Sequence, residues 1–110
     1  MKVLVCGGRD FDDYTRLKAF LDTHQITVLV HGGARGADTL AGIYANCYKN
    51  ITCRVYYAEW SKYGNKAGFI RNQLMLDKEH PDLVIAFPGG KGTADMVKRA
   101  TEQGYKVIKG

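Results

Sequence analysis

No apolar run in this chain approaches the roughly 20 residues that cross a bilayer. No block of lysine and arginine marks an arm for nucleic acid. Cysteine is scarce. Cys6, Cys47 and Cys53 are an odd number with no metal-ligand spacing, which argues against both a disulfide framework and a metal site. Cys6 and Cys53 lie in strand patterns and Cys47 in a helix pattern, so they read as buried free thiols of a cytoplasmic protein. The opening Met1-Lys2-Val3-Leu4-Val5-Cys6 is too short for a signal peptide and reads as a first strand. Internal repeats, linkers and low-complexity segments are missing too, which leaves one domain over residues 1–110.

What is present is ordinary for a globular domain with a modest core: 45% apolar and 25% charged residues. Sixteen Lys and Arg against eleven Asp and Glu leave a net charge of +5. That excess suits an anionic partner, and its dispersal favours a pocket for a small phosphorylated ligand over a nucleic-acid surface.

Strand and helix patterns alternate five times. Strands are expected at Lys2–Cys6, Thr27–His31, Thr52–Tyr57, Leu83–Phe87 and Lys106–Ile108. The first helix starts after a capping Asp12 or Asp13 and buries Leu17, Phe20 and Leu21. The second starts near Ala37 or Asp38 and presents Leu40, Ile43, Tyr44 and Cys47. The third covers Lys66–Lys78 with Ile70 and Leu74 on its inner face. The fourth covers Thr93–Gln103, with Val97 and Ala100 inward and Gly104 closing it. Helical crossovers between short apolar strands imply an α/β three-layer sandwich, Rossmann-like, with a mostly parallel five-stranded sheet. Right-handed crossovers give the order 3-2-1-4-5 most simply.

Three strands run directly into glycine-rich turns: Gly7-Gly8-Arg9-Asp10, Gly32-Gly33-Ala34-Arg35-Gly36-Ala37-Asp38 and Pro88-Gly89-Gly90-Lys91-Gly92-Thr93. All three fall on the carboxyl edge of the sheet, where such folds hold ligands. Glycines there let backbone N–H groups and helix N-termini approach a phosphate. Arg35 offers a phosphate partner. Asp38 either caps the second helix or holds a ribose hydroxyl, and Thr93 either caps the fourth helix or donates to a phosphate. His31 reads as a hydrogen-bonded residue at a strand end. Neither the Walker spacing nor Gly-x-Gly-x-x-Gly is present, so the common nucleoside triphosphate and dinucleotide motifs are excluded. The segment Trp60 to Asn72 reads as a loop entering the third helix. It carries Trp60 and Tyr63 as stacking surfaces, Lys66 as a cation, and Arg71 with Asn72 to reach a phosphate or carboxylate.

Taken together, Gly7 to Phe11, His31 to Asp38, Glu59-Trp60, Gly68 to Asn72 and Phe87 to Thr93 resemble the SLOG superfamily, in its small DUF2493 or YspA-like branch. The resemblance covers nearly the whole chain. It implies a Rossmann-like domain binding nucleotides or nucleotide-derived signals, found in bacteria and phages near conflict and defence systems, and a homodimer or higher homo-oligomer. The LOG-like relatives implied by it are phosphoribohydrolases with Pro-Gly-Gly-x-Gly-Thr-x-x-Glu. Here Met96 stands at the glutamate position, and methionine neither transfers a proton nor stabilises a cationic sugar. Asp95 is adjacent but turned by roughly 100° on a helix.

The leading expectation is therefore a module that binds a nucleotide-derived small molecule of the ADP-ribose type, as a sensor or a sequestering protein. No catalytic residue, cofactor or metal is assigned. A phosphoribohydrolase and a DprA-like single-stranded DNA binder are the alternatives, and Met96→Glu is the substitution that would restore the hydrolase motif.

Overall fold

A computed structural model describes residues 1–48 and 50–110. Its sheet contains β1 (Lys2–Cys6), β2 (Val28–His31), β3 (Thr52–Val55), β4 (Leu83–Ala86) and β5 (Val107–Lys109). All neighbours are parallel and the order is β3-β2-β1-β4-β5, the simplest one for right-handed crossovers. Helices α1 (Tyr14–Leu21) and α2 (Ala37–Asn46) cover one face, and α4 (Ala67–Glu79) and α5 (Lys91–Glu102) the other. The protein is thus an α/β three-layer, Rossmann-like sandwich.

Alternation along the central strands divides the core. Val3, Val5, Leu29, Leu83 and Ile85 point towards Leu17, Leu21, Ala41 and Tyr44. Leu4, Cys6, Val30, Val84 and Ala86 point towards Met75, Leu76, Met96 and Ala100. Strands buried on both faces have to be apolar throughout, which is why β1 and β4 read as continuous hydrophobic runs.

Asp13 caps α1, its carboxylate accepting from the Arg16 N–H at 3.0 Å. Gly104 follows α5 at φ +86° and bonds back to the Thr101 carbonyl at 3.2 Å. Helix α5 begins two residues before its expected start, because Lys91 and Gly92 already take helical turns. The segment expected as a loop holds a short helix, α3 (Trp60–Tyr63), and a 3₁₀ turn over Gly64–Lys66.

Three helix faces differ from expectation. In α2, Ile43 is exposed, as is Cys47 at the cap just beyond it, and the small residues Ala37, Ala41 and Ala45 let the helix approach the sheet with Tyr44. Cys47 is therefore no buried thiol. In α1, Phe20 is only partly buried and meets Phe87 edge-on with ring centroids 5.8 Å apart. In α4 the inner face is Ala67, Asn72, Met75 and Leu76, while Ile70 and Leu74 stand outside. Met75 sits one residue, or about 100°, beyond Leu74. The helix thus carries two apolar stripes, and only one meets the sheet. No helix among the described residues is long and apolar enough to cross a membrane.

Candidate functional site

At the carboxyl edge of the sheet the turns after β1, β2 and β4 meet the start of α4 around an open cleft of about 760 Å³. Strands β1 and β4 lie beside each other there, at the switch point of the strand order. Gly7, Gly8, Arg9 and Asp10 line it from the first turn, and Gly32, Gly33, Arg35 and Asp38 from the second. Gly90, Gly92 and Thr93 line it from the third, and Trp60, Arg71 and Asn72 from the segment into α4.

Gly36, Lys66, Pro88 and Gly89 do not line the cleft. Gly36, at φ +84°, presses against the first turn, where an added Cβ would fall 2.1 Å from the Gly8 carbonyl oxygen. The Pro88 carbonyl accepts from the Gly8 N–H at 2.8 Å, locking the first and third turns together with Gly89 between them. Lys66 lies on the outer side of α4, and Tyr63 is also outside the cleft, with Lys62 over its ring at 5.0 Å. Conversely, Tyr57, Phe69, Asn65 and Lys91 contribute to the cleft although no role was assigned to them. The signal for Tyr57 is its position just after β3, at the same edge as the turns.

The three turns are not equivalent. In the second, the chain satisfies its own donors. Asp38 Oδ2 accepts from the N–H groups of Gly32 and Ala34, both at 3.1 Å, and His31 Nδ1 accepts from the Gly33 N–H at 3.0 Å. The first helical N–H of α2, on Ala37, bonds to the Gly8 carbonyl at 3.2 Å. In the third turn, the first donor to close a bond is Ala94, to the Gly90 carbonyl at 3.0 Å. The N–H groups of Gly89 to Thr93 have no protein partner among the described residues, as expected of a helix start without a side-chain cap. An added Cβ on Gly90 or Gly92 would meet nothing within 4 Å, so the space in front of them is open.

Arg71 and Asp38 form the charged floor. Arg71 Nη1 donates to the Gly32 carbonyl at 2.6 Å and Nε to Asn72 Oδ1 at 3.2 Å. Burial lowers the Arg71 pKa, with Asp38 opposing and Arg9 adding to the shift. Burial raises the Asp38 carboxyl, against the N–H of Ala34, Arg71 and the N–H of Gly32. Burial, and then Arg71, keep the His31 imidazole below its usual range, so its Nδ1 is free to accept. The Cys6 thiol in the floor is pushed up to about 12 by burial and by Asp38, which leaves it protonated and unreactive.

Asn72 is committed within the protein. Its Nδ2 donates to the Gly92 carbonyl at 3.1 Å and to Asp95 Oδ2 at 3.0 Å, fastening α4 to the first turn of α5. Asp95 also accepts from Arg99 Nε at 2.8 Å. Met96 lies fully buried against the sheet with Leu4, Met75 and Val84, away from the cleft.

The rim is exposed. The Arg9 guanidinium sits 5.7 Å from the centre of the Trp60 ring, and Arg35 and Asp10 approach to 3.7 Å with both side chains largely in solvent. Trp60 and Tyr57 are 49% and 73% exposed. Among the described residues no three His, Cys, Asp or Glu stand together as a metal site.

Residues 1–63 of the chain match the family described as YspA, cpYpsA-related SLOG. The chain is also 36% identical over 118 residues to the Gene 61 protein of Mycobacterium phage D29, covering 97% of this chain and 94% of that protein. No solved structure matches.

Proposed function

The chain belongs to the YspA, cpYpsA-related SLOG family, and from that premise we propose that it binds a nucleotide-derived small molecule of the ADP-ribose type in the cleft. The observation that carries this reading is the row of N–H groups from Gly90 to Thr93, without protein partners among the described residues, at the positive end of the α5 dipole. A phosphate set there would be held by backbone donors that need no rearrangement. Lys91 and Arg9 add positive charge at the same cleft.

The other contacts follow from what each side chain has left to offer. Trp60 and Tyr57 present exposed aromatic faces for a base. Asp38 commits one carboxylate oxygen to the second turn, and the other is left to accept from a sugar hydroxyl. Arg71 uses Nη1 and Nε within the protein and keeps Nη2 for the ligand.

Binding without turnover is favoured over hydrolysis by one feature. The carboxylate of the LOG-type motif is replaced by Met96, whose side chain is sealed in the core. The neighbouring Asp95 is held by Asn72 and Arg99. A phage-encoded relative supports a role as sensor or sequestering protein in the contest between phage and host.

Calorimetry with ADP-ribose and AMP, together with native mass spectrometry of protein purified from cells, tests the proposal. A bound phosphorylated nucleoside derivative is expected. Protein that carries no such molecule and takes up neither probe would overturn it.

A further inference from the structure

Arg9 stands at the rim of the cleft between two attractions. Its guanidinium lies over the Trp60 ring, 5.7 Å from the centroid, within cation–π range, although the ring stays 49% exposed. Its backbone is rooted beside the third turn. Gly8, the residue before it, donates to the Pro88 carbonyl at 2.8 Å, and an added Cβ on Gly8 would fall 2.9 Å from Gly89 Cα. That third turn carries the N–H groups of Gly90 to Thr93, without protein partners among the described residues. No carboxylate claims Arg9. The two that line the cleft are engaged elsewhere: Asp10 approaches Arg35 to 3.7 Å, and Asp38 accepts from Gly32 and Ala34. Among the described residues Arg9 makes no ion pair. The Arg71 guanidinium, fixed by Gly32 and Asn72, lies near enough for the two like charges to repel. Trp60 shares that corner, since an added Cβ on Gly68 would fall 3.4 Å from Trp60 Cη2 and 3.8 Å from Arg71 Nη2.

We propose that Arg9 makes the cleft select phosphorylated nucleosides over bare nucleosides, by covering the stacking face of Trp60 until a phosphate at the start of α5 draws it away. The inference rests on the reading that the cleft takes a nucleotide derivative. A base without phosphate has to displace the guanidinium from the ring and leaves it with no new partner. A base joined to phosphate supplies that partner. A charge-assisted bond to phosphate outweighs a cation–π contact at a half-exposed ring, so the exchange favours binding. The incoming anion also relieves the repulsion between Arg9 and Arg71. Arg9 is thus a specificity-determining residue with two opposite effects. It competes with the base for Trp60, and it rewards the phosphate that arrives with the base.

Trp60 is the chain's single tryptophan, so its fluorescence reports the Arg9 contact directly. Inorganic pyrophosphate should shift the emission of the wild-type protein and leave that of Arg9→Gln unmoved. Arg9 is exposed, so the variant should melt with the wild type. Calorimetry gives the second readout. Arg9→Gln should bind ADP-ribose at least about tenfold more weakly, as for a lost charged hydrogen bond. It should bind adenosine about threefold more tightly, the size of an exposed cation–π contact. Pyrophosphate that leaves the wild-type emission unchanged, or shifts the variant's equally, overturns the proposal. So does an adenosine affinity that does not rise in the variant, or an ADP-ribose affinity that does not fall. A wild-type protein that binds neither AMP nor ADP-ribose overturns the nucleotide reading and this inference with it. One that binds them, with Arg9→Gln weakening adenosine and ADP-ribose alike, overturns this inference alone.

Discussion

The Asp38 carboxylate accepts from the Gly32 N–H at 3.1 Å, so the second glycine-rich turn is closed by an anion of the chain itself. The same oxygen accepts from Ala34. Among the described residues the third turn, with a similar composition, has no such internal anion, and the N–H groups of Gly90 to Thr93 are left without a protein partner beside the cleft. Two turns that look alike as sequence therefore do different work. One is a braced wall and the other is the anion subsite of the proposed function.

Gly92→Val tests that subsite. The space in front of Gly92 is open, so the variant should fold with a melting temperature within a few degrees of wild type. Its side chain would stand where the phosphate approaches. Calorimetry with ADP-ribose should show affinity reduced by at least about 2 kcal/mol, the value of one or two charged hydrogen bonds. Unchanged affinity in the folded variant would remove the third turn from the site.

Arg71 links the second turn to α4 through Gly32 and Asn72 and faces Asp38, so its loss acts on stability as well as binding. Arg71→Ala should destabilise the protein by about 1.5–3 kcal/mol and weaken ligand binding by a similar amount. Arg71→Lys should recover only part of both, because lysine cannot reach the two acceptors with one planar group. Denaturant melts and calorimetry on the same preparations separate the two effects.

Met96→Glu would not restore a hydrolase. The position is wholly buried against the sheet, so the new carboxylate would lie in an apolar core without a partner. A loss of at least about 3 kcal/mol in stability is expected. Neither the variant nor the wild type should release free base from AMP or CMP, as followed by chromatography. Steady release by the wild type, abolished by Arg71→Ala, would replace the binding reading with an enzymatic one.

Glu79 is a buried carboxylate held in a three-donor network, and its protonation should cost stability in acid. It is 5% exposed and accepts from Lys2 Nζ at 3.0 Å, from Arg54 Nη1 at 2.8 Å and from the Tyr56 hydroxyl. Burial opposes ionisation, but the bonds from Tyr56, Lys2 and Arg54 outweigh it and hold the carboxyl below its ordinary value. A carboxyl lowered in the folded state adds stability above its unfolded pKa of about 4.3 and loses it as pH falls through the folded value. Glu79→Gln should cost about 2–4 kcal/mol at pH 7. It should also flatten the fall in stability between about pH 5 and the folded pKa. A variant whose acid unfolding curve matches the wild type would deny Glu79 this role.

The strand order, the parallel sheet, the two layers of helices and the edge where the turns gather could all be read from the chain. Each rests on local patterning. Apolar runs too short for helices mark strands buried on both faces, and glycines at their ends mark the carboxyl edge. That Gly90 and Gly92 come to this edge was legible for the same reason. What the sequence could not decide was which polar group spends its hydrogen bonds inside the protein. Asp38, Asn72 and Arg71 stand beside each other only because the crossovers bring α2, α4 and α5 to one edge, and their partners lie up to 39 residues away. The inner face of α4 was undecidable in the same way. Both Ile70 with Leu74 and Met75 with Leu76 satisfy a helical period, and only packing against the sheet selects one stripe and leaves the other at the surface.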